Sequence, residues 1–321
     1  MGDPPASHSA DAAPPAATYD CVIVGGGPAG LSAAVYMGRF RRTTLLIDSG
    51  EGRWAYGQHN ENYLGFPKGV SARRLRALGV AQAERFGVVP HHGRVEQIDL
   101  LPAQQGFTLA TTAGQVIGRT VIWAAGVRDR WPTFRGARRL VGKQLFWCIV
   151  CDGWRTLDRE ILLLGNIDAA AEDALQFLTY TSRVTLLVEP GKDELSPTAR
   201  RKLHAGGIQV RSGEVRSVRL KGQAIENILL TSGELLHADL IFSLYGSDPN
   251  TELLRHLPIT LTPRGMINID PKYQTNLARF YAAGDVTDHH SDQVASAVHG
   301  GAQAAQAANY ALYPPRQRLS T

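Results

Sequence analysis

Two cysteines three residues apart, followed by an acid, stand at Cys148-Ile149-Val150-Cys151-Asp152-Gly153. Thiols at that spacing close a small disulfide ring, and a lowered thiol pKa makes such a pair quick to exchange. Other chemistries are open to a CxxC. A four-thiolate zinc site is excluded, because the chain holds only three cysteines. A site of two cysteines and two histidines wants histidines about three to five residues apart. The pairs His91/His92 and His289/His290 are adjacent. A structural disulfide is the plainer alternative, and the chain shows no secretion signal that would favour it. The third cysteine, Cys21, lies inside an apolar run and reads as a small buried hydrophobe.

Something must hold this pair against a reaction partner, and the flanking segments supply it. Tyr19-Asp20-Cys21-Val22-Ile23-Val24 is a short β-branched run, read as a buried parallel strand. It leads into Gly25-Gly26-Gly27-Pro28-Ala29-Gly30, a GxGxxG, and then an Ala-rich helix from about Leu31 to Arg39. Such glycines permit a tight turn, close approach of backbone to a pyrophosphate, and close helix–strand packing. The next strand, Thr43 to Ile47, ends in Asp48, where an acid can bind ribose hydroxyls. Strand, turn, helix and acid in this order predict a dinucleotide site. Near the C-terminus, Phe280-Tyr281-Ala282-Ala283-Gly284-Asp285 reads as a short strand ending in Gly-Asp. Gln293 follows on a loop or helix start, and an Ala-rich helix runs to about Leu312. By itself this is a turn with a capping Asp.

The 321 residues, 44% hydrophobic and 20% charged, are enough for two domains with separate cores. The net charge of +5 is spread over short clusters such as Arg41/Arg42 and Arg200/Arg201/Lys202 and reads as a solvated basic surface. No basic stripe interleaved with aromatics points to nucleic acid. Residues 1–18 read as a disordered tail rich in Pro, Ala, Ser and Asp, and Ala6 stands where a myristoylation motif wants Ser or Thr. No apolar run approaches the ~20 residues that span a bilayer. The expected location is the cytoplasm, with peripheral membrane contact left open.

The ordered set of motifs resembles the low-molecular-weight thioredoxin reductases over about residues 19–313. They are Gly25-x-Gly27-x-x-Gly30, Asn62-Tyr63-Leu64-Gly65, Ala124-Ala125-Gly126, Cys148-x-x-Cys151-Asp152-Gly153, Gly246-x-x-Pro249-Asn250 and Ala283-Gly284-Asp285. The resemblance implies an α/β fold of two Rossmann-like nucleotide-binding domains, the second inserted into the first. Residues 19–127 and 246–313 then form the FAD-binding domain, 128–245 the inserted domain carrying the CxxC, and 314–321 a tail. It implies FAD held by Gly25, Gly27, Pro28, Ala29, Gly30, Asp48, Ala125, Gly126 and Gly284. Asp285 falls on the flavin ribitol, Gln293 near the isoalloxazine and Asn62 close to the flavin edge. It also implies a homodimer and a partner that is a dithiol or disulfide protein or a small thiol.

The inserted domain departs from the family where NADPH should bind. Glu160 to Leu164 is a convincing strand, but it leads to Gly165-Asn166-Ile167-Asp168-Ala169-Ala170. Ile167 replaces a glycine that lets backbone approach pyrophosphate, and Asp168 puts a negative charge on the amides a phosphate would use. Asp168 is expected to cap the first turn of its own helix. The strand Thr185 to Val188 ends at Glu189, where the family has a basic cluster for the 2′-phosphate. NADPH is therefore not expected, and the chain is similar to the pyridine-nucleotide-independent branch, such as the diflavin-linked disulfide oxidoreductases of oxygenic phototrophs.

By this resemblance Cys151 faces the flavin, Cys148 is the interchange thiol, and Asp152 shuttles a proton or caps the helix carrying the cysteines. Thiol oxidation through two flavins is one expectation. Alternatives are an NADPH- or ferredoxin-dependent thioredoxin reductase, or a non-catalytic flavin-binding redox sensor. A second FAD would lean on Arg128, Arg130 and Arg200/Arg201 for its pyrophosphate and on Trp147 or Trp154 for stacking. His299, close after Gln293, reads either as an acid/base near the flavin or as packing.

Overall fold

Short β-branched runs without polar interruption make strands that are buried on both faces, and this chain arranges them in two parallel sheets. The computed structural model describes residues 17–289 and 291–318. The first strand, Ala17–Val24, pairs in parallel with Thr44–Asp48 on one side and with Gly114–Trp123 on the other. Pro90–His92 and Phe280–Ala282 extend the parallel part, and Phe107–Thr111 and Val95–Leu100 add an antiparallel flank. The expected tail over residues 1–18 lies outside the described residues as far as 16, and Ala17 and Thr18 belong to the first strand instead. His290 and residues 319–321 also lie outside them.

One face of this sheet is covered by helix Pro28–Arg39 and the C-terminal helix Val294–Leu312. The two helices cross where Gly301 meets Ala29: a Cβ on Gly301 would collide with the Ala29 carbonyl. The first helix begins at Pro28, three residues before its expected start, because proline suits a first helical turn whose N–H would be unpaired anyway. Cys21 is fully buried in this core, and burial pushes its thiol up to about 12, as befits a packing residue.

The chain leaves the first sheet through Val127–Asp129 and returns through Ser247–Pro249, and these two strands pair antiparallel. Between them lies a second sheet in the order Leu145–Phe146, Leu240–Ser243, Ile161–Leu164, Val184–Val188, Gln209–Ser212, all parallel. A three-stranded antiparallel sheet packs on one of its faces and helix Asp168–Phe177 on the other. Two crossings of the chain, side by side, give the redox domain one paired-strand connection to the first domain. Among the described residues no helix is long and apolar enough to cross a membrane.

Candidate active site

The first glycine turn is built by contact. A Cβ on Gly30 would collide with the Gly25 carbonyl, and one on Gly25 with the Ala124 carbonyl, so helix and strand approach as only glycine allows. Gly27 faces open space at the helix N-terminus. Ala125 and Gly126 follow the strand ending at Trp123. Asn250 braces them, donating Nδ2–H to the Ala125 carbonyl at 2.8 Å and its backbone N–H to Gly126 at 3.0 Å. Gly284 packs against Ala29, which places Asp285 beside the same turn.

Asp48 is buried at the end of its strand and accepts from Arg76 Nη2 at 2.5 Å. The Arg76 guanidinium lies 4.2 Å over the Trp54 ring. Asp285 accepts from Arg53 Nη1 at 3.0 Å. Arg53 is a hub: it also reaches Asp129 on the outgoing connection strand at 2.6 Å and Asp292, next to Gln293, at 2.9 Å. Burial would lower its pKa, but hydrogen bonds to Asp129 hold it above the ordinary value. Asp292 itself has a left-handed backbone, φ 53°, so the ion pair helps hold a strained residue. Sequence reasoning missed Arg53, Trp54 and Arg76, since a lone cation in a loop has no spacing signature.

Cys148 and Cys151 form a disulfide on the short helix Ile149–Asp152. Cys148 Sγ accepts the Cys151 backbone N–H at 3.1 Å. Gln293, at the start of the C-terminal helix, brings Nε2 within 3.4 Å of Cys151 Sγ and 3.6 Å of Cys148 Sγ. Asn62 Nδ2 donates to Gln293 Oε1 at 2.7 Å. Three residues far apart in sequence thus meet at the sulfurs.

Asp152 does not cap the helix that carries the cysteines; Cys148 is its N-cap, and the Asp152 side chain turns to Arg155 Nε at 2.8 Å. The expectation of a capping Asp152 is corrected on that account: the acid lies at the C-terminal end of a four-residue helix, away from its free amides. Burial raises the Asp152 pKa, and the Arg155 hydrogen bond draws it back in part. Arg155 also lies 3.3 Å from Glu61, whose carboxylate is 3.0 Å from His59 Nδ1. This chain of charges joins the redox helix to the first domain beside the disulfide.

A cavity of about 1370 Å³ runs from the first glycine turn past the disulfide to the inserted domain. Trp54 Nε1 and Asn60 Nδ2 line it and are buried donors with no protein partner. Open backbone at Gly27, orphan donors and the Asn62–Gln293 pair facing the sulfurs fit the flavin dinucleotide that the resemblance implies. Among the described residues no cluster could hold a metal ion.

The second turn is tied to the neighbouring strand end and the loop after it. Asn166 Oδ1 accepts the Glu189 N–H at 2.9 Å, and its carbonyl accepts Glu194 N–H at 2.7 Å. Glu189 accepts a hydrogen bond from Lys192; burial alone would raise its pKa, and the Lys192 bond and charge help bring it below the ordinary range. Tyr245 follows strand Leu240–Ser243 and Glu189 follows Val184–Val188, so the two residues flank the end of Ile161–Leu164. That is where a dinucleotide would cross. Ile167 caps the next helix without a side-chain bond and is 38% exposed.

Other expectations are corrected here. Asp168 does not cap its own helix but accepts the Ser196 N–H at 2.7 Å, a bond that lowers its pKa and ties two helix starts together. The arginines expected to grip a displaced pyrophosphate are engaged elsewhere: Arg130 with Asp248 at 2.6 Å, Arg128 with Glu252 at 3.6 Å, Arg200 with Asp193, and Arg201 with Thr198. Trp154 does not line the cavity; it is 53% exposed, with Arg155 over its ring. Trp147 does line it, edge-on to Trp131 at 4.8 Å. His299 is exposed and packs against Tyr273, the packing alternative.

The profile of the pyridine nucleotide-disulphide oxidoreductase family matches residues 19–307. The thioredoxin reductase of Streptomyces coelicolor is 31% identical over 297 residues, covering 88% of this chain and 91% of that protein. The solved thioredoxin reductase of Streptococcus pyogenes superposes with a TM-score of 0.85 at 26% identity, covering 92% and 98%. The atypical thioredoxin reductase TRi of Desulfovibrio vulgaris Hildenborough gives 0.51 at 30% identity, covering 91% and 97%.

Proposed function

The chain belongs to the pyridine nucleotide-disulphide oxidoreductase family, as a FAD-linked disulfide oxidoreductase of the thioredoxin reductase type, and on that premise we propose that it works through Cys148 and Cys151 without NADPH. The single observation that carries the second half is the second turn, where Asn166 accepts the Glu189 and Glu194 N–H groups and the Glu189 carboxylate, paired with Lys192, stands at the neighbouring strand end. With no hydride donor seated there, electrons enter through an external dithiol and leave through the flavin to a separate acceptor. The partner is a thioredoxin-like dithiol protein or a small thiol.

FAD, when bound, supplies the two-electron acceptor; the protein supplies geometry and proton control. Cys148 is the interchange thiol: the Cys151 N–H on its sulfur favours the thiolate that attacks or leaves. Cys151 faces the flavin side, against Gln293 and Asn62. Asp152, buried and with a raised pKa, takes a proton from the incoming dithiol, and Arg155 holds its carboxylate in place. Gly25, Gly27, Pro28, Ala29, Gly30, Asp48, Ala125, Gly126, Gly284 and Asp285 hold FAD, with Arg53 orienting Asp285 and Gln293's neighbour Asp292.

Anaerobic titration of the holoprotein with dithiothreitol tests the electron path. The chain can take four electrons, two at the Cys148–Cys151 disulfide and two at the flavin, and the flavin should bleach within that uptake; a flavin that stays oxidised in excess dithiol makes the protein a binder or sensor rather than an enzyme. One observation favours a second reading, two flavins per chain: the cavity exceeds the roughly 300–1,000 Å³ of an ordinary ligand pocket. The engaged arginines oppose it. Flavin released per chain after saturation with FAD decides, and the expected ratio is one. A ratio of two establishes the diflavin reading.

A further inference from the structure

The inserted domain keeps a crevice where it lacks a phosphate cradle. Phe146 pairs with Phe242 and Leu164 with Ser243, so Trp147, Ser243 and the Gly165 turn meet where three neighbouring strands end. Ligands of open parallel sheets bind at such ends. Ser243 is 1% exposed, and its Oγ has no partner; neither has the buried Nε1 of Trp147. Both residues line the cavity. A buried donor left unmade is costly, so two side by side point to a ligand acceptor.

The start of helix Asp168–Phe177 lines the same cavity. Ile167, Ala169 and Ala170 make it apolar, and Asp173 adds a carboxyl. Among the described residues no cation pairs with Asp173. Burial and the neighbouring Glu172 push it up to about 6, so it remains largely ionised at neutral pH. Seven carboxylates and four guanidiniums line the whole cavity, a net charge of −3 (4 − 7), in a chain whose overall charge is +5. Three of those guanidiniums, Arg53, Arg76 and Arg130, are bonded to carboxylates, and the fourth, Arg264, is exposed on the first domain's wall. FAD phosphates add further negative charge. The field therefore repels anions and draws cations.

We propose that this crevice binds the non-reacting part of a small, phosphate-free, cationic thiol or disulfide, with its ammonium at Asp173, a carbonyl-type acceptor at Ser243 Oγ and Trp147 Nε1, and its sulfur toward Cys148. Cys148 follows Trp147 directly, so a ligand seated there lies beside the reactive disulfide. The inference deepens the proposed oxidoreductase reading and rests on it for the role of the sulfur. Its test involves no electron transfer, so either can fail alone.

Calorimetry on the oxidised holoprotein at neutral pH uses three disulfides: cystamine, a dication; N,N′-diacetylcystamine, neutral with two amide carbonyls; and 3,3′-dithiodipropionate, a dianion. Cystamine should bind at least about tenfold tighter than the dianion, and Asp173→Asn should remove about tenfold of that affinity. Ser243→Ala should weaken diacetylcystamine about threefold. Both substitutions are conservative in size, and thermal melting checks that each variant is folded. Equal or tighter binding of the dianion, no measurable cystamine binding, or unchanged affinity in Asp173→Asn overturns the cationic site. Unchanged diacetylcystamine binding in Ser243→Ala overturns the acceptor half.

Discussion

Serine in place of either Cys148 or Cys151 is expected to slow flavin bleaching by dithiothreitol by ~10³-fold or more, because a nucleophile that works as one of a pair leaves little behind when it is lost. The two variants should differ in the thiol that remains. In Cys151→Ser the Cys148 sulfur still receives the backbone N–H of residue 151, so its thiolate is stabilised. In Cys148→Ser the remaining Cys151 thiol lies against the Gln293 amide on the flavin side. Alkylation of the reduced variants by iodoacetamide, read by intact mass, should be about tenfold faster at Cys148 than at Cys151. Cys21, buried and with a thiol raised to about 12, serves as the unreactive control. Equal alkylation rates reverse the division of labour between the two sulfurs. Normal bleaching in either variant removes the pair from the mechanism altogether.

Anaerobic NADPH or NADH is expected to bleach the flavin at least ~10³-fold more slowly than dithiothreitol, since a hydride donor that cannot seat loses the advantage of position. Three features act together. The Gly165 turn is laced to Glu189 and Glu194 through Asn166. Glu189, paired with Lys192, stands at the end of the strand beside the one that a dinucleotide must cross. Ile167 stands at the helix start, and Asp168 has its charge beside the amides a phosphate would take. Stopped-flow mixing without oxygen measures both rates. Bleaching by either nucleotide within a few turnovers would restore a conventional reductase. The variant Glu189→Arg removes the carboxylate and supplies a cation; a gain of NADPH reduction there would locate the block in that side chain.

Much of the site was legible because its parts are local. A β-branched run, a glycine turn and a helix follow each other within about one unit of supersecondary structure, and short-range sterics dictate all three. The CxxC needs only its own spacing. The departures of the second turn, Ile167, Asp168 and Glu189, are likewise residue types at fixed offsets. What each acid does could not be read in that way. Asp152 and Asp168 both suited a cap by type and position, and both chose another partner, Arg155 and the Ser196 N–H. Arg155 offers Asp152 a charged donor three residues on, and Ser196 offers Asp168 a backbone N–H from another helix start, and each is taken in place of the cap.

The sequence alone determined the two nucleotide-type frames, the redox pair and the departures at Ile167, Asp168 and Glu189. These follow from periodicity, glycine placement and charge along the chain. Only the tertiary structure decided that Asn62, Gln293 and the two sulfurs form one cluster, although residues 62 and 293 are 231 positions apart. Only it showed Arg53 gripping three carboxylates and an anionic cavity inside a cationic protein. Long-range pairing depends on where packed sheets and helices bring side chains, and electrostatic fields sum over whatever charges the fold places around a cavity. Neither quantity is carried by neighbours in sequence, which is why the chemistry could be read from the chain and its control could not.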